Sequence, residues 1–462
     1  MGTDRTLTQT RKPRKDASLG QPHLFVVFRC DRPLDGGARI SLAGADAVAF
    51  GRGPRLGLER VQDGGATTLR IGVPDPRMST SHARLQRVLG AWVLADAGSK
   101  NGTFCEGRRI DRMEVADGAL LELGHTFFLF RDAVAASPGD VLEPAAPGGP
   151  PRGFSTLVPA FAAELARIER IARSTVPVLL NGQTGTGKEV MARAIHALSE
   201  RPGPFQAVNC AAIAPNLVES ELFGHKKGAF TSAVDEHPGA VRSAHRGTLL
   251  LDEIGDLPLP AQAALLRVLQ ENEVLPVGSS RTVPVDLRVV AATNRDLDQL
   301  ATEQRFRADL LARLSGYRCT LPPLRERRED FALLSAAVLE SARAPGLTFS
   351  VEAARALLSY PWPLNVRELE KCLTAAAVLA EGGQVELDHL PEAVRAAPKA
   401  AQAPAPAESH EGPDAQRREE ILKLMQEHGG NVTAVARAMG KARTQVQRWL
   451  RRFRIDPLSF RR

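Results

Sequence analysis

The stretch Val178-Leu179-Leu180-Asn181-Gly182-Gln183-Thr184-Gly185-Thr186-Gly187-Lys188-Glu189 decides how the middle of the chain folds. A short apolar run leads into a glycine-rich turn, and Val190, Ala194, Ala197 and Leu198 then recur at helical spacing. This predicts a buried strand, a tight loop and a helix. Gly182, Gly185 and Gly187 let the backbone curl, so that the loop through Gln183, Thr184 and Thr186 turns its N–H groups toward phosphate oxygens. Lys188 adds a positive charge at the β- and γ-phosphates, and the helix N-terminus behind it favours the same anion. Glu189 stands where many such loops carry a hydroxyl ligand for Mg²⁺, so the metal is expected to be held by other groups or by water.

A second stretch, Thr248-Leu249-Leu250-Leu251-Asp252-Glu253, reads as a buried strand of a parallel sheet ending in two carboxylates. Asp252 suits the shell of a Mg²⁺ ion, and Glu253 suits polarising the water that attacks a γ-phosphate. Val289-Val290-Ala291-Ala292-Thr293-Asn294 is another such strand, with Asn294 placed to sense the γ-phosphate or to position water. Together these segments predict an α/β ATPase core that uses ATP and Mg²⁺.

The chain has 462 residues, enough for about three domains. Its 43% apolar and 24% charged content is that of a soluble globular protein. No apolar run approaches the roughly 18 residues of a membrane span, and the polar N-terminus lacks a signal-peptide core. No membrane partner is expected. Cys30, Cys105, Cys210, Cys319 and Cys372 form no metal spacing and no disulfide framework, which points to a reducing cytoplasm. The net charge is +7, and residues 414–462 alone carry 12 basic against 5 acidic residues. DNA contact is expected there.

Residues 1–20 read as a disordered basic tail, and residues 21–132 as short strands with frequent turns, an all-β sandwich. Leu24–Phe28, Ala91–Leu94 and Phe127–Phe130 are its clearest strands. Three groups, Gly51-Arg52, Ser79-Thr80-Ser81-His82 and Ser99-Lys100-Asn101-Gly102-Thr103, resemble the forkhead-associated (FHA) domain, a phosphothreonine-peptide binder. That resemblance implies phosphate contacts from Arg52 and Ser79, a peptide-backbone contact from Asn101, and a bracing role for His82. The partner would be a phosphothreonine-containing protein or a Ser/Thr kinase. Thr80 replaces the family's usual arginine, and the Arg52–Ser79 segment is longer than typical. Residues 133–152 read as an Ala/Pro/Gly linker.

Residues 153–393 alternate strands and helices, with a helical lid from about 326. They resemble the AAA+ activators of sigma-54 RNA polymerase over their whole length. By that resemblance Asn209 restrains Glu253 until ATP is engaged, and Gly228-Ala229-Phe230-Thr231-Ser232-Ala233 is the loop that contacts sigma-54. Ser232 departs from the family's glycine. Phe306–Leu314 resembles the arginine-finger segment, which implies that Arg307 and Arg313 act on a neighbour's ATP in a homo-oligomeric ring, a hexamer. Pro361–Leu369 resembles the lid's nucleotide-sensing segment, with Arg367 as phosphate sensor and Leu364 at a usual glycine.

Residues 394–413 read as a second linker. From 414 to 462 three helix patterns follow, with Asn431 as the N-cap of the second and Gly440 in the turn before the third. Val446, Trp449, Leu450 and Phe453 give the third helix an apolar face, while Arg443, Thr444, Gln447, Arg448 and Arg451 line the other. This is an all-α helix-turn-helix of the kind that enters DNA, and it resembles the Fis-type domain. The expected protein is a sigma-54-dependent activator. Two alternatives remain open at this point: a phosphopeptide- and DNA-binding regulator with a vestigial ATPase, and an AAA+ remodeller of another protein.

Overall fold

The computed structural model describes residues 20–63, 65–135, 141–142, 153–229, 235–344, 346–396, 421, 423–425, 427–429, 431–441 and 443–452. The chain divides into a large unit, residues 1–398, and a small one, residues 399–462.

The large unit begins with short strands. In order they are β1 (Gln21–Arg29), β2 (Ala38–Ser41), β3 (Ala47–Arg52), β4 (Gly57–Asp63), β5 (Ala66–Val73), β6 (Ala83–Val88), β7 (Ala91–Asp96), β8 (Thr103–Cys105), β9 (Arg108–Ile110), β10 (Arg112–Glu114), β11 (Leu120–Leu123), β12 (Thr126–Val134) and β13 (Val141–Leu142). They form two sheets, β13-β2-β1-β12-β11-β8-β9 and β10-β7-β6-β3-β5-β4. Leu24, Val26, Phe50, Ile71, Leu94 and Phe128 fill the space between them. The long Arg52–Ser79 segment is accounted for by the antiparallel β4–β5 pair, which returns to lie parallel beside β3. Inside the stretch read as a linker, β13 adds to the edge of the first sheet by pairing with β2.

The α/β layer follows. Helix α1 (Pro159–Ala172) precedes β14 (Val178–Asn181), α2 (Lys188–Leu198), β15 (Phe205–Asn209), α3 (Val218–Phe223), α4 (Gly239–Ser243) and β16 (Thr248–Asp252). Next come α5 (Leu259–Glu271), the two-residue strands β17 (Glu273–Val274) and β18 (Val283–Pro284), β19 (Arg288–Thr293), α6 (Leu297–Thr302), α7 (Ala308–Leu314) and β20 (Tyr317–Thr320). The sheet order is β15-β16-β19-β14-β20, with every pairing parallel. Register sets the site: Asn181 lies beside Thr293, and Asn209 beside Asp252. All the strand ends read as chemical therefore open on one edge, where ligands bind in open α/β sheets. At the opposite edge the buried Arg288 guanidinium donates to the carbonyls of Ile171, Ala172 and Ser174, capping α1.

A helical lid completes the unit: α8 (Phe331–Ser341), β21 (Thr348–Phe349), α9 (Val351–Ser359), α10 (Asn365–Leu379), β22 (Gln384–Val385) and α11 (Glu392–Arg395). Val394 is buried in the lid core, so the packed lid reaches into the segment read as the second linker. In the small unit, helical backbone at 421–427 (residues 422 and 426 aside) precedes α12 (Val432–Ala438) and α13 (Arg443–Arg452). Ile421, Met425, Val435, Val446 and Leu450 form its core. Asn431 caps α12, its side chain accepting from the N–H groups of Thr433 and Ala434. Among the described residues, no helix is long and apolar enough to cross a membrane.

Candidate functional site

The loop after β14 wraps the start of α2. Gly185 has φ +79°, and a Cβ there would lie 2.1 Å from the Leu364 carbonyl oxygen of the lid. Only glycine allows both that conformation and that approach. Leu364 itself has φ −99°, an ordinary value for a side-chain-bearing residue, so its turn does not need the glycine usual there. The helix face is displaced from the one expected. Met191, Ala192, Ala194 and Ile195 are buried, whereas Val190 is exposed, because the residue facing the sheet is set by how the loop delivers the first turn.

Lys188 is 7% exposed, and its Nζ donates to the Gly182 carbonyl at 2.9 Å and lies 3.6 Å from Glu253 Oε1. Glu253 holds φ +50° and accepts from the Asn294 N–H at 3.3 Å. The Asn294 side-chain amide reaches the Thr184 hydroxyl at 3.3 Å. Thr186 is buried, its hydroxyl donating to the Gln183 carbonyl. Burial, and then Glu253 alongside, push the Asp252 carboxyl above the usual carboxylate range, and Lys188 offsets part of this. A cavity of about 270 Å³ is lined by Thr184, Lys188, Asn209, Asp252, Glu253 and Arg367, among others. Asn209 turns its side-chain oxygen to the Ala211 N–H at 3.0 Å, within the same cavity wall. Glu189 pairs with Arg193 one turn along α2, at 2.7 Å.

Two lid-side residues went unnoticed in the sequence. Asn365 is fully buried with φ +58°; its amide donates to the Thr184 carbonyl at 3.0 Å and its oxygen accepts from the Leu324 N–H at 2.8 Å. Arg327, also buried, donates to the Thr186 carbonyl at 2.9 Å. Both hold the phosphate loop to the lid from behind. An asparagine two residues before the arginine read as a phosphate sensor is the only signal the sequence offers for the first. Arg367 lines the cavity, its backbone N–H donating to the Gly185 carbonyl at 3.3 Å.

The finger candidates lie apart from this cavity. Arg307 forks onto Asp309 at 2.7 and 3.1 Å, and Arg313 donates to the Leu269 carbonyl at 2.9 Å. Arg313 lines a separate and larger cleft of about 870 Å³, which contains none of the phosphate-loop residues. Of the loop read as a sigma-54 contact, Gly228 and Ala229 are described; Phe230, Thr231, Ser232 and Ala233 lie outside the described residues. Its base is pinned by paired backbone hydrogen bonds between His225 and His237 and by Lys226 with Glu236 at 2.9 Å.

At the end of the sandwich the three sequence groups meet. The Arg52 N–H donates to the Ser79 carbonyl at 3.0 Å, and the Ser79 hydroxyl accepts from the Lys100 N–H at 3.1 Å. Asn101 donates to the Arg77 carbonyl at 2.6 Å. A Cβ on Gly51 would lie 2.0 Å from the Thr80 carbonyl oxygen, so the strand carrying Arg52 can press against the serine loop. His82 is fully buried, and burial lowers its pKa. The Ser79 N–H donates to its Nδ1 at 3.0 Å, which assigns the proton to Nε2 and leaves that atom to donate to the Gly102 carbonyl at 3.2 Å. Asp96, unnoticed in the sequence, shapes the third loop by accepting from the Ser99 and Thr103 hydroxyls, each at 2.6 Å, and from the Gly98 and Ser99 N–H groups. Burial pushes its carboxyl up, but these donors win and hold it below the usual range.

In the small unit Arg443 is exposed at the start of α13. Thr444, Gln447, Arg448 and Arg451 belong to the same helix, and their side chains lie outside the described residues, as does Phe453.

Comparison with known proteins agrees with this arrangement. Residues 156–320 match the sigma-54 interaction domain, 325–407 the AAA+ ATPase lid domain, 49–124 the FHA domain and 413–459 a homeodomain-like domain. The chain is 51% identical over 228 residues to the DNA-binding transcriptional activator HyfR of Escherichia coli, covering 48% of this chain and 34% of HyfR. It thus spans about a third of that relative's length. It is 39% identical over 350 residues to the transcriptional regulatory protein GlrR of the same organism, covering 72% of this chain and 75% of GlrR. A crystal structure of NtrX from Brucella abortus in complex with ATP aligns with a TM-score of 0.47 at 31% identity, covering 64% of this chain and 68% of that one. With an FHA sandwich, an AAA+ core under its lid and a C-terminal helix-turn-helix, the chain belongs to the sigma-54-dependent transcriptional activators.

Proposed function

We propose that this protein binds DNA upstream of promoters and hydrolyses ATP to drive open-complex formation by sigma-54 RNA polymerase, under the control of phosphothreonine recognition by its FHA domain. The observation that carries the reading is the convergence of Lys188, Asp252, Glu253 and Asn294 on one sheet edge, beneath Arg367 of the lid. Lys188 and the loop N–H groups would hold the β- and γ-phosphates, and Arg367 would report their presence to the lid. Glu253, which contacts both Lys188 and the Asn294 N–H, would orient and polarise water. Asn209, which lines the same cavity, would exchange its present bond to Ala211 for one to Glu253.

The donor set fits Mg²⁺. Burial first, and then the neighbouring Glu253, push the Asp252 carboxyl up, and a bound dication would relieve that push. Asp252 would hold the metal, with waters and phosphate oxygens filling the shell, since Glu189 is engaged with Arg193. The metal would supply charge neutralisation at the phosphates.

Arg307 and Arg313 lie away from their own chain's phosphate loop, which supports a role on a neighbour's nucleotide in a hexameric ring. Thr231 and its neighbours would carry the motion to sigma-54, and Arg443, Thr444, Gln447, Arg448 and Arg451 of α13 would contact DNA. Arg52, Ser79 and Asn101 would bind the phosphothreonine peptide from a partner protein or kinase, the dianion favouring charge-assisted donors.

Transcription reconstituted with sigma-54 polymerase tests the reading. Open complexes are expected with ATP and absent with a non-hydrolysable analogue. Thr231→Ala should keep ATP hydrolysis and lose open complexes. Equal open-complex yield without hydrolysis would refute the proposal.

A further inference from the structure

The sheet containing β1 and β12 is buried on both faces. Along β1, Leu24 and Val26 enter the sandwich core, whereas Phe25, Val27 and Phe28 join the core of the lid. Along β12, Phe128 and Phe130 turn to the sandwich, and Phe127 and Leu129 to the lid. The lid answers with Phe331, Leu339, Phe349, Leu357 and Trp362. The FHA sandwich and the lid thus share one hydrophobic core.

Polar contacts hold the register of this joint. Arg355 forks onto the buried Glu122 at 2.9 and 3.0 Å, and Arg131 meets the buried Glu329 at 2.6 Å. The Phe349 N–H donates to the Cys30 carbonyl at 2.9 Å, and Arg328 to the Gly118 carbonyl at 3.3 Å. Burial pushes the Glu122 carboxyl up and Arg355 works against it, so loss of Arg355 would leave a desolvated acid without its partner.

From this joint a packed route runs to the phosphate loop. The Phe28 ring lies 5.9 Å from that of Phe331, and Phe331 lies 6.3 Å from Trp362. The Trp362 carbonyl accepts from the Asn365 N–H at 2.8 Å, and the Asn365 side chain holds the Thr184 carbonyl. In the other direction β12 pairs with β11, and β11 with β8, which begins directly after Asn101 and Gly102. Every link is a close-packed or hydrogen-bonded contact, the kind that transmits small displacements because a dense core does not absorb them.

We propose that the FHA sandwich is a structural part of the nucleotide-reading lid, so that phosphopeptide binding and nucleotide binding are thermodynamically linked through Phe28, Phe331, Trp362 and Asn365. Glu122 and Arg355 are positioning residues that hold the register of the joint. The proposal rests on the reading of Arg52, Ser79 and Asn101 as a phosphopeptide site. A tethered sensor would need no common core with the lid, and burying the second face of β1 and β12 would then serve no coupling.

The test uses the full chain. The tightest-binding member of a synthetic phosphothreonine peptide library is titrated with and without saturating ATPγS, and ATPγS with and without that peptide. Linkage requires the two affinity changes to be the same factor, and coupled sites typically show about 5- to 150-fold. Phe331→Leu, and separately Glu122→Gln combined with Arg355→Gln, should retain binding at each site alone while bringing that factor toward one. Hydrogen exchange with ATPγS alone supplies a readout free of peptide: amides of β1 and β12 should change protection. If the peptide binds equally with and without ATPγS and those amides do not respond, the linkage is overturned while peptide recognition stands. If no library member binds, the phosphopeptide reading fails, and exchange in β1 and β12 alone decides whether sandwich and nucleotide site communicate.

Discussion

Asn365→Ala isolates the joint between lid and phosphate loop. Asn365 is fully buried and serves two backbone groups, accepting from the Leu324 N–H and donating to the Thr184 carbonyl. Alanine leaves the buried Leu324 N–H without a partner, a cost of about 1–3 kcal/mol. Thr184 is exposed, so its carbonyl can turn to water and the loss there is nearer the net value of one bond, about 0.5–1.5 kcal/mol. Alanine must also hold φ +58°, which costs roughly 1–2 kcal/mol and which asparagine tolerates better. The sum, about 2.5–6.5 kcal/mol, corresponds to a drop in melting temperature of roughly 3–8 °C for a unit of this size, whose unfolding entropy is on the order of 0.8 kcal/mol/K. Differential scanning calorimetry of the full chain checks it. Asn365→Gly is the control, because it loses the same bonds without the left-handed strain, and should recover roughly 1 kcal/mol. An alanine variant that melts at the wild-type temperature and binds nucleotide with unchanged affinity would refute the assignment of Asn365 as the joint.

Lys188→Ala should abolish ATP binding, whereas Glu253→Gln should bind ATP and hydrolyse it poorly, by roughly 10²-fold or more; equilibrium binding and steady-state turnover separate the two. Gly51→Ala places a methyl group 2.0 Å from the Thr80 carbonyl oxygen, so it should destabilise the sandwich by about 1–3 kcal/mol and weaken phosphopeptide binding, read by thermal denaturation and calorimetric titration. Asp330 bears on pH. Burial raises its pKa from 3.8 to about 6 even as Thr156 and Leu157 donate to it, so between these values the folded chain keeps a proton that the unfolded chain has released. Its contribution to stability therefore falls as pH rises through that window and is flat above it, by on the order of 2–3 kcal/mol in all. Asp330→Asn should remove that slope, seen as the difference between wild-type and variant melting temperatures from pH 4 to pH 7 (roughly the window set by the two pKa values).

Much of this protein was legible because its chemistry is carried by short local patterns. The turn at Gly182–Lys188, the carboxylates ending β16 and Asn431 as a helix cap each depend on residues close together in the chain, where spacing alone sets geometry. Parallel register, too, follows once the strands are placed, since equal strand ends then meet on one edge. What required the tertiary structure is every contact that joins distant segments. Phe25 and Phe127 are spelled as ordinary sandwich strand residues, yet they belong to the core of a lid that begins some 200 residues later than Phe127. The uninterrupted apolar runs Leu24–Phe28 and Phe127–Phe130 held a trace of this, because a strand wet on one face alternates and these do not. No local pattern names the partner, however. Asn365, Arg327 and Glu122 are polar residues whose worth comes from being desolvated against particular backbone groups or charges, and desolvation is a property of the packed chain, not of its spelling.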